Sequence, residues 1–151
     1  MFFNHHIALI KKATKSKEEA FLLLANELDK HHCVTDDFYQ NVVKREEIFP
    51  TGLEINGIGV AIPHTDSEYV TESQVAFLSL EKPLTFLEMG STDKQVSVSL
   101  LFMLALKEPH EQLEMLQKLI AMFQNPGVLE ALLNVTTTED YLIILENNDL
   151  Y

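Results

Sequence analysis

A chain of 151 residues, 46% of them hydrophobic and 23% charged, has the size and composition of one globular domain with one core. Its 23 acidic and 11 basic side chains give a formal net charge of −12, which argues against a nucleic-acid-binding protein and favours partners with basic docking faces. We therefore expect residues 1–151 to form a single domain.

The chain shows no segment typical of a membrane protein or a secreted protein. Its longest purely apolar run, LLFMLAL at 100–106, is far shorter than the roughly 20 residues that a membrane-spanning helix needs. The start, MFFNHHIALIKK, lacks the basic residues and the cleavage site of a signal peptide. Cys33 is the only cysteine, so no internal disulfide can form. These features predict a cytoplasmic protein that does not insert into a membrane.

The first third of the chain predicts one strand and two helices. Ser16 is a typical N-cap residue, and apolar residues follow it at helical spacing. Pro50 and Gly52 are residues that end a helix. The predicted elements are a strand HHIALI at 5–10, a helix from Ser16 to about His31, and a helix DDFYQNVVKREEIF at 36–49.

The rest of the chain predicts three strands followed by three helices. The strands, at 58–62, 74–80 and 96–104, are short, rich in β-branched or bulky residues and bounded by turn signals. From Pro109 the apolar residues recur at helical spacing, and two further helices are expected within 126–134 and 138–146. Helices on both sides of a strand-rich middle predict an α/β fold, with a mixed β-sheet flanked by helices on both faces. We expect the five methionines and nine phenylalanines to lie in its core.

Three polar residues stand at predicted element ends, where functional residues are often found: Arg45, His64 and His110. His64 follows the strand at 58–62 across Pro63, which restricts the position of the ring. A histidine with an ordinary pKa of about 6.5 is mostly neutral at pH 7 and keeps a lone pair for nucleophilic attack or for a metal. The residues alone leave a third interpretation open, an ordinary turn histidine.

The other two residues suit a negatively charged ligand. His110 follows Pro109 at the start of a helix, where free backbone amides and the macrodipole favour an anion such as a phosphoryl group. Arg45 carries a permanently charged guanidinium that can hold phosphate through two N–H groups. Each also has a plain interpretation, His110 as a helix-start residue and Arg45 as a solvated surface charge.

The sequence gives little support for a metal or a cofactor. It has no HExxH motif and no paired Cys/His spacing. In HHC at 31–33, adjacent residues on a helix point about 100° apart and cannot all face one ion. Histidines also suit a helix C-terminus without any further role. We expect neither a metal nor a cofactor.

The segment TGLEINGIGVAIPHT at 51–65 resembles the signature around the phosphorylated histidine of enzyme IIA proteins of the fructose, mannitol and galactitol type. These proteins belong to the bacterial phosphoenolpyruvate-dependent sugar phosphotransferase system. The resemblance extends over nearly the whole chain, through REEIFPTGL, VSVSLLFML and EPHEQLEMLQKLI. It implies a mixed sheet between helices and a carrier cycle, in which a histidine takes a phosphoryl group from the phosphocarrier HPr and passes it to a cysteine of an enzyme IIB.

The resemblance also assigns the three candidate residues. His64 falls on the acceptor position, His110 on a second histidine that stabilises the transferring group, and Arg45 on an arginine of the same site. Many relatives have glycine where this chain has Thr65, which together with FPTGL resembles the galactitol branch. The second histidine is not always present in that branch. Asp66 adds a negative charge, so we expect it to face solvent or a hydrogen-bond donor.

Three functions remain open from the sequence. The first is a phosphoryl carrier for transport of galactitol or a related polyol or sugar. The second is a regulatory protein of the nitrogen-related branch, in which phosphorylation of His64 switches a partner interaction. The third is an interaction domain with an inert His64.

Overall fold

The structure, a computed structural model, describes residues 1–151 and contains five strands and five α-helices. A short 3₁₀ turn is formed by Ser67–Tyr69. None of the helices combines the length and the apolar character that crossing a bilayer requires. In chain order the elements are β1 (Ala8–Lys12), α1 (Lys17–Lys30), α2 (Phe38–Ile48), β2 (Gly52–Ile55), β3 (Ile58–Ala61), β4 (Gln74–Leu87), β5 (Gln95–Ala105), α3 (Pro109–Phe123), α4 (Val128–Leu133) and α5 (Thr138–Asn147).

The five strands form one mixed sheet in the order β1-β4-β5-β3-β2. The pairs β1–β4 and β3–β5 are parallel, whereas β4–β5 and β2–β3 are antiparallel. The carboxyl ends of β3 and β5 therefore lie at the same end of the sheet as the amino ends of β1 and β4. We call this the upper end of the sheet.

Each face of the sheet buries its own apolar core. Alternate side chains of β5 point to opposite faces, so Leu101 and Met103 lie in one core and Leu100 and Phe102 in the other. The first core is completed by α1 and α2, and the second by α3, α4 and α5. This arrangement confirms the predicted α/β fold with helices on both faces.

The second core holds an unusual polar atom. The ring of Tyr141 in α5 stacks on Phe77 of β4 with centroids 4.5 Å apart and planes 15° apart. The side chain is fully buried, and its hydroxyl has no hydrogen-bond partner. Burial raises the pKa of this phenol.

The sequence prediction missed β2 and ended β4 too early. β2 and β3 form a hairpin across Asn56 and Gly57, whose φ angles of 53° and 83° are those of a two-residue turn with both central residues left-handed. β4 runs on to Leu87, past an irregular pairing with β5 around Pro83. The expectation that the methionines and phenylalanines lie in the core was wrong for Met1 and Phe49, which are exposed, and for Met89, which is half-buried and in neither core.

Candidate active site

His64 lies at the upper end of the sheet, just beyond β3. The two residues before it, Ile62 and Pro63, are fully or almost fully buried. The N–H of Leu104 in β5 donates to the carbonyl of Pro63 at 3.0 Å, and His64 itself pairs with Leu104 in an isolated parallel bridge. The backbone that carries the imidazole is therefore held by the central strand of the sheet.

The His64 ring has a defined orientation. Its Nδ1 lies 2.8 Å from the carbonyl oxygen of Ile62. A carbonyl only accepts hydrogen bonds, so Nδ1 carries the hydrogen and donates it. In the neutral ring the lone pair is then on Nε2, which makes Nε2 the nucleophilic atom.

The surroundings favour the neutral form of this ring. Burial is the largest influence on the pKa of His64 and lowers it, and the positive charge of Arg45 lowers it further. The hydrogen bond to Ile62 and the negative charge of Asp66 act in the opposite direction. The net effect lowers the pKa, so the lone pair is available at neutral pH.

A chain of hydrogen bonds links this orientation to a buried carboxylate. Glu46 of α2 accepts from both the backbone N–H and the hydroxyl of Thr51, each at 2.8 Å. The hydroxyl oxygen of Thr51 accepts from the N–H of Ile62 at 3.2 Å. The carbonyl of Ile62 then receives the hydrogen of His64. We call this series Glu46, Thr51, Ile62 and His64 the supporting chain.

Glu46 was missed by the sequence prediction, although a signal was present. Phe38, Val42 and Glu46 are spaced four residues apart and share one face of α2, the face that packs in the core. All three are buried. Burial raises the pKa of Glu46, while the hydrogen bonds from Thr51 and the charge of Lys17 oppose this effect. A carboxylate on an apolar stripe needs hydrogen-bond donors, and Thr51 supplies them.

Arg45 is close enough to His64 for its positive charge to lower the pKa of that ring. Its Nη1 is 3.9 Å from Oδ1 of Asp66, which is too long for a charge-assisted hydrogen bond. Its guanidinium carbon lies 5.0 Å from the ring centroid of Phe49, and its Nε has no hydrogen-bond partner. Asp66 is exposed and faces this cation, in agreement with expectation. The guanidinium is thus held in place without being committed to a two-bond pair with a carboxylate.

His110 lies at the first turn of α3, which begins at Pro109 as predicted. Its side chain is exposed and makes no hydrogen bond, so the structure does not join it to His64 or Arg45. The start of this helix is already occupied by Glu111, whose Oε1 accepts from the N–H of Glu108 and from the hydroxyl of Ser73. An anion at this helix start would therefore meet a carboxylate.

A neighbouring residue makes the contact that His110 does not. Gln112, also in the first turn of α3, donates from Nε2 to the carbonyl of Thr65 at 2.8 Å. This bond ties α3 to the residue directly after His64. The sequence prediction missed Gln112 because nothing in its pattern distinguishes it from a solvated helix residue.

The geometry combines an oriented imidazole, whose neutral form is favoured, with the nearby positive charge of Arg45. A family model for the phosphoenolpyruvate-dependent sugar phosphotransferase system, EIIA 2, matches residues 1–148. The chain belongs to this EIIA family. As a member of it, this EIIA protein is a phosphotransferase component.

Known proteins resemble this EIIA protein over most of its length. The galactitol-specific EIIA component of the phosphotransferase system of Escherichia coli strain K12 is 28% identical over 123 residues, which cover 82% of this chain and 81% of that protein. The nitrogen regulatory protein IIA-Ntr of Neisseria meningitidis superposes with a TM-score of 0.70 at 27% identity, covering 93% of this chain and 92% of that one.

A third similarity shows the fold alone. The complex of enzyme IIAMtl with phosphorylated enzyme IIBMtl from Escherichia coli contains a chain that superposes with a TM-score of 0.76 at 22% identity. The match covers 94% of this chain and 95% of that chain. In that structure an EIIA fold is seen together with an enzyme IIB.

Proposed function

We propose that this EIIA protein is a single phosphocarrier domain that takes a phosphoryl group from HPr onto Nε2 of His64 and passes it to a cysteine of an enzyme IIB. The observation that carries the proposal is the 2.8 Å hydrogen bond from Nδ1 to the carbonyl of Ile62. It fixes the ring and leaves Nε2 as the atom with the lone pair. The burial that lowers the pKa of His64 keeps that lone pair free.

The proposed cycle has two transfers. In the first, Nε2 attacks the phosphorus of phospho-HPr, the Nε2–P bond forms, and the bond between phosphorus and the donor breaks. In the second, the thiolate of enzyme IIB attacks the same phosphorus, an S–P bond forms, and the electron pair of the Nε2–P bond returns to the imidazole. Reactions of this kind depend on in-line positioning and on stabilisation of charge on the phosphoryl oxygens.

Arg45 is the group that supports this charge. Its Nη1 is only loosely paired with Asp66, at 3.9 Å, so the guanidinium can turn its N–H groups to a phosphoryl oxygen. The ring of Phe49 holds the guanidinium at this position. A role for His110 rests on family resemblance and on its place in the first turn of α3.

The surface around the site suits a protein partner. Ile48 and Phe49 at the end of α2 are 69% and 57% exposed, and Leu113 in the first turns of α3 is 60% exposed. Large exposed apolar side chains next to a reactive group are typical of a docking surface. The formal charge of −12 favours partners with a basic face. HPr and enzyme IIB would use this surface in turn, in the cytoplasm.

The substrate of the transport system is proposed from similarity alone. The 28% identity to the galactitol-specific component favours galactitol or a related polyol. The similarity to IIA-Ntr supports a second candidate, a regulatory protein in which the phosphorylation state of His64 controls a partner. The two candidates share the first transfer and differ in the second.

The first transfer is tested by mass. The chain is incubated with phosphoenolpyruvate, enzyme I and HPr, and its intact mass is measured before and after acid treatment. We expect one acid-labile phosphoryl group on the wild type and on His32→Ala, a control at an exposed histidine, and none on His64→Ala. Labelling of folded His64→Ala at the wild-type rate would exclude His64 as the acceptor.

The second transfer separates transport from regulation. The isolated phosphorylated chain is mixed with a galactitol-type enzyme IIB and with a variant of it that lacks the acceptor cysteine. Loss of phosphate from the chain only with the intact enzyme IIB supports the transport role. Retention of phosphate with both would favour the regulatory candidate.

A further inference from the structure

A second group of reactive side chains lies at the upper end of the sheet, away from His64. It consists of His5 before β1, Cys33 after α1 and Glu72 before β4. One ligand atom of each, the imidazole nitrogen, the thiol sulfur and a carboxylate oxygen, lies within 4.8 Å of the other two. Three distant parts of the chain therefore bring a nitrogen, a sulfur and an oxygen donor to one point.

We propose that His5, Cys33 and Glu72 form a binding site for a zinc ion. Zinc takes nitrogen, thiolate and carboxylate ligands, and sites with three protein ligands complete their tetrahedron with a water molecule. A thiolate beside an imidazole selects zinc over magnesium and calcium, which prefer oxygen ligands alone. The site is separate from the phosphoryl-transfer residues and does not depend on their function.

The hydrogen-bonded contact between His5 and Glu72 is one that a zinc ion could replace. The Nε2 of His5 lies 2.8 Å and 3.1 Å from the two carboxylate oxygens of Glu72. Both side chains are partly exposed, whereas Cys33 is buried beneath them. A zinc ion would displace the hydrogen shared by these two groups and move them apart, because zinc lies about 2.0–2.1 Å from each nitrogen or oxygen ligand. It would gain the sulfur of Cys33 as a third ligand. The thiol proton would pass to solvent.

Backbone hydrogen bonds fix the segments that carry the three residues. The closeness of the three ligand atoms therefore follows from the fold, and does not depend on side-chain conformation alone. The carbonyl of Cys33 accepts from the N–H of Thr71 at 2.8 Å and from the N–H of Glu72 at 3.2 Å. Val34 and Val70 form an antiparallel bridge next to these bonds. The N–H of His5 donates to Oε1 of the fully buried Gln74 at 2.9 Å.

A zinc ion here would add a metal link between three segments that already meet through backbone bonds and through the stacking of His5 on His31. One of them, residues 65–73, begins directly after His64 and contains Glu72 next to its last residue. The metal would therefore fasten the far end of the segment that follows His64. The expectation from sequence that the chain has no metal site rested on local spacing, which does not register ligands from three distant segments.

The test uses the full chain without an affinity tag, dialysed against a chelator and titrated with zinc and with cobalt. We expect binding of one ion with a Kd of about 1 µM or tighter, and a cobalt spectrum with the charge-transfer absorption of a thiolate ligand. His5→Gln, Cys33→Ser and Glu72→Gln should each weaken zinc binding at least about tenfold. His32→Gln and Glu68→Gln, exposed neighbours outside the cluster, should bind zinc like the wild type.

Two outcomes would overturn the site. One is the absence of one-to-one binding in the wild type, in which case His5 and Glu72 form only an ion pair over a buried thiol. The other is unchanged affinity in Glu72→Gln and His5→Gln, which change partly exposed side chains and should leave the fold intact even if Cys33→Ser does not. Binding that remains in both but is lost in His32→Gln would place the metal elsewhere.

Discussion

Thr51 and Ile62 are joined by a 3.2 Å hydrogen bond across 11 residues, from the backbone N–H of Ile62 to the hydroxyl oxygen of Thr51. The bond connects the segment after α2 to the residue whose carbonyl orients His64. Because Thr51 also donates to the buried Glu46, a single hydroxyl both satisfies a buried carboxylate and fixes the peptide close to His64.

Replacement of this hydroxyl should affect stability and transfer together. Thr51→Val leaves the N–H of Ile62 and one oxygen of Glu46 without a partner, so we expect a loss of about 1–3 kcal/mol in the free energy of unfolding. With the ring less well placed, single-turnover phosphorylation by phospho-HPr should slow by roughly tenfold to 100-fold. Urea unfolding and rapid-quench measurements test the two effects.

The matched control is Thr51→Ser, which keeps the hydroxyl and removes a methyl group. It should cost only about 1 kcal/mol and leave the transfer rate near that of the wild type. A slow Thr51→Ser variant, or a fast Thr51→Val variant, would show that the supporting chain has no influence on His64.

The pH dependence of phosphorylation follows from the state of His64. Only the neutral ring has a lone pair on Nε2, so the rate should rise with pH. Burial and Arg45 lower the pKa of His64, so the midpoint should lie below the ordinary value of about 6.5. Arg45→Gln should raise this midpoint and slow transfer, whereas Asp66→Asn should lower it.

Single-turnover rates between about pH 5 and 8 test this prediction, with the titration of the donor measured separately. A rate that falls as pH rises would mean that the protonated ring is the active form and that His64 is not a nucleophile.

The lowered pKa of His64 also has a consequence for the stability of the fold. The unfolded chain binds the proton of His64 more tightly than the folded chain, so this residue should reduce the stability of the fold as pH falls below about 6.5.

His110 gives a test of the residue assigned by resemblance alone. His110→Ala keeps the nucleophile, so it should still become phosphorylated, but more slowly in at least one of the two transfer directions. The physical reason is the loss of an N–H donor to the developing charge. Rates equal to wild type with both HPr and enzyme IIB would leave His110 as an exposed helix-start residue.

Tyr141 offers a prediction about stability that is independent of function. Its buried hydroxyl has no partner, so Tyr141→Phe should keep the stacking on Phe77 and raise the free energy of unfolding by about 1 kcal/mol. The control is Tyr39→Phe, because the hydroxyl of Tyr39 donates to the carbonyl of Glu18 at 3.2 Å. That variant should lose about 1 kcal/mol. Destabilisation by Tyr141→Phe of the same size would reveal a partner for its hydroxyl.

The sequence predicted the elements that have strong local signals and the residues that stand at their ends. Helices with a clear apolar face and the strands of the central sheet were recognised, as were the positions of Arg45 and His64. The missed strand β2 also had a local signal, since Asn56 and Gly57 form the dipeptide most typical of a two-residue hairpin. The segment EINGIG at 54–59 thus carries a sufficient local signal for the hairpin.

Other features depend on tertiary structure and could not be predicted from local pattern. The proximity of Gln112 to Thr65 depends on how α3 packs over the end of β5. The meeting of His5, Cys33 and Glu72 depends on the parallel pairing of β1 with β4, which are separated by most of the first half of the chain. Glu46 was predictable in part. Its place on the apolar face of α2 can be read from the spacing in the sequence, whereas its hydrogen bonds with Thr51 cannot.

The two edge strands of the sheet determine whether a strand of another molecule could pair with it. β1 has five residues, breaks its register between Leu9 and Lys12, and ends in the exposed Lys11 and Lys12. β2 has four residues and carries the exposed Glu54. Short, irregular and charged edge strands are poor templates for strand addition. These edges therefore disfavour edge-to-edge association, although the chain exposes large apolar residues such as Ile48 and Phe49.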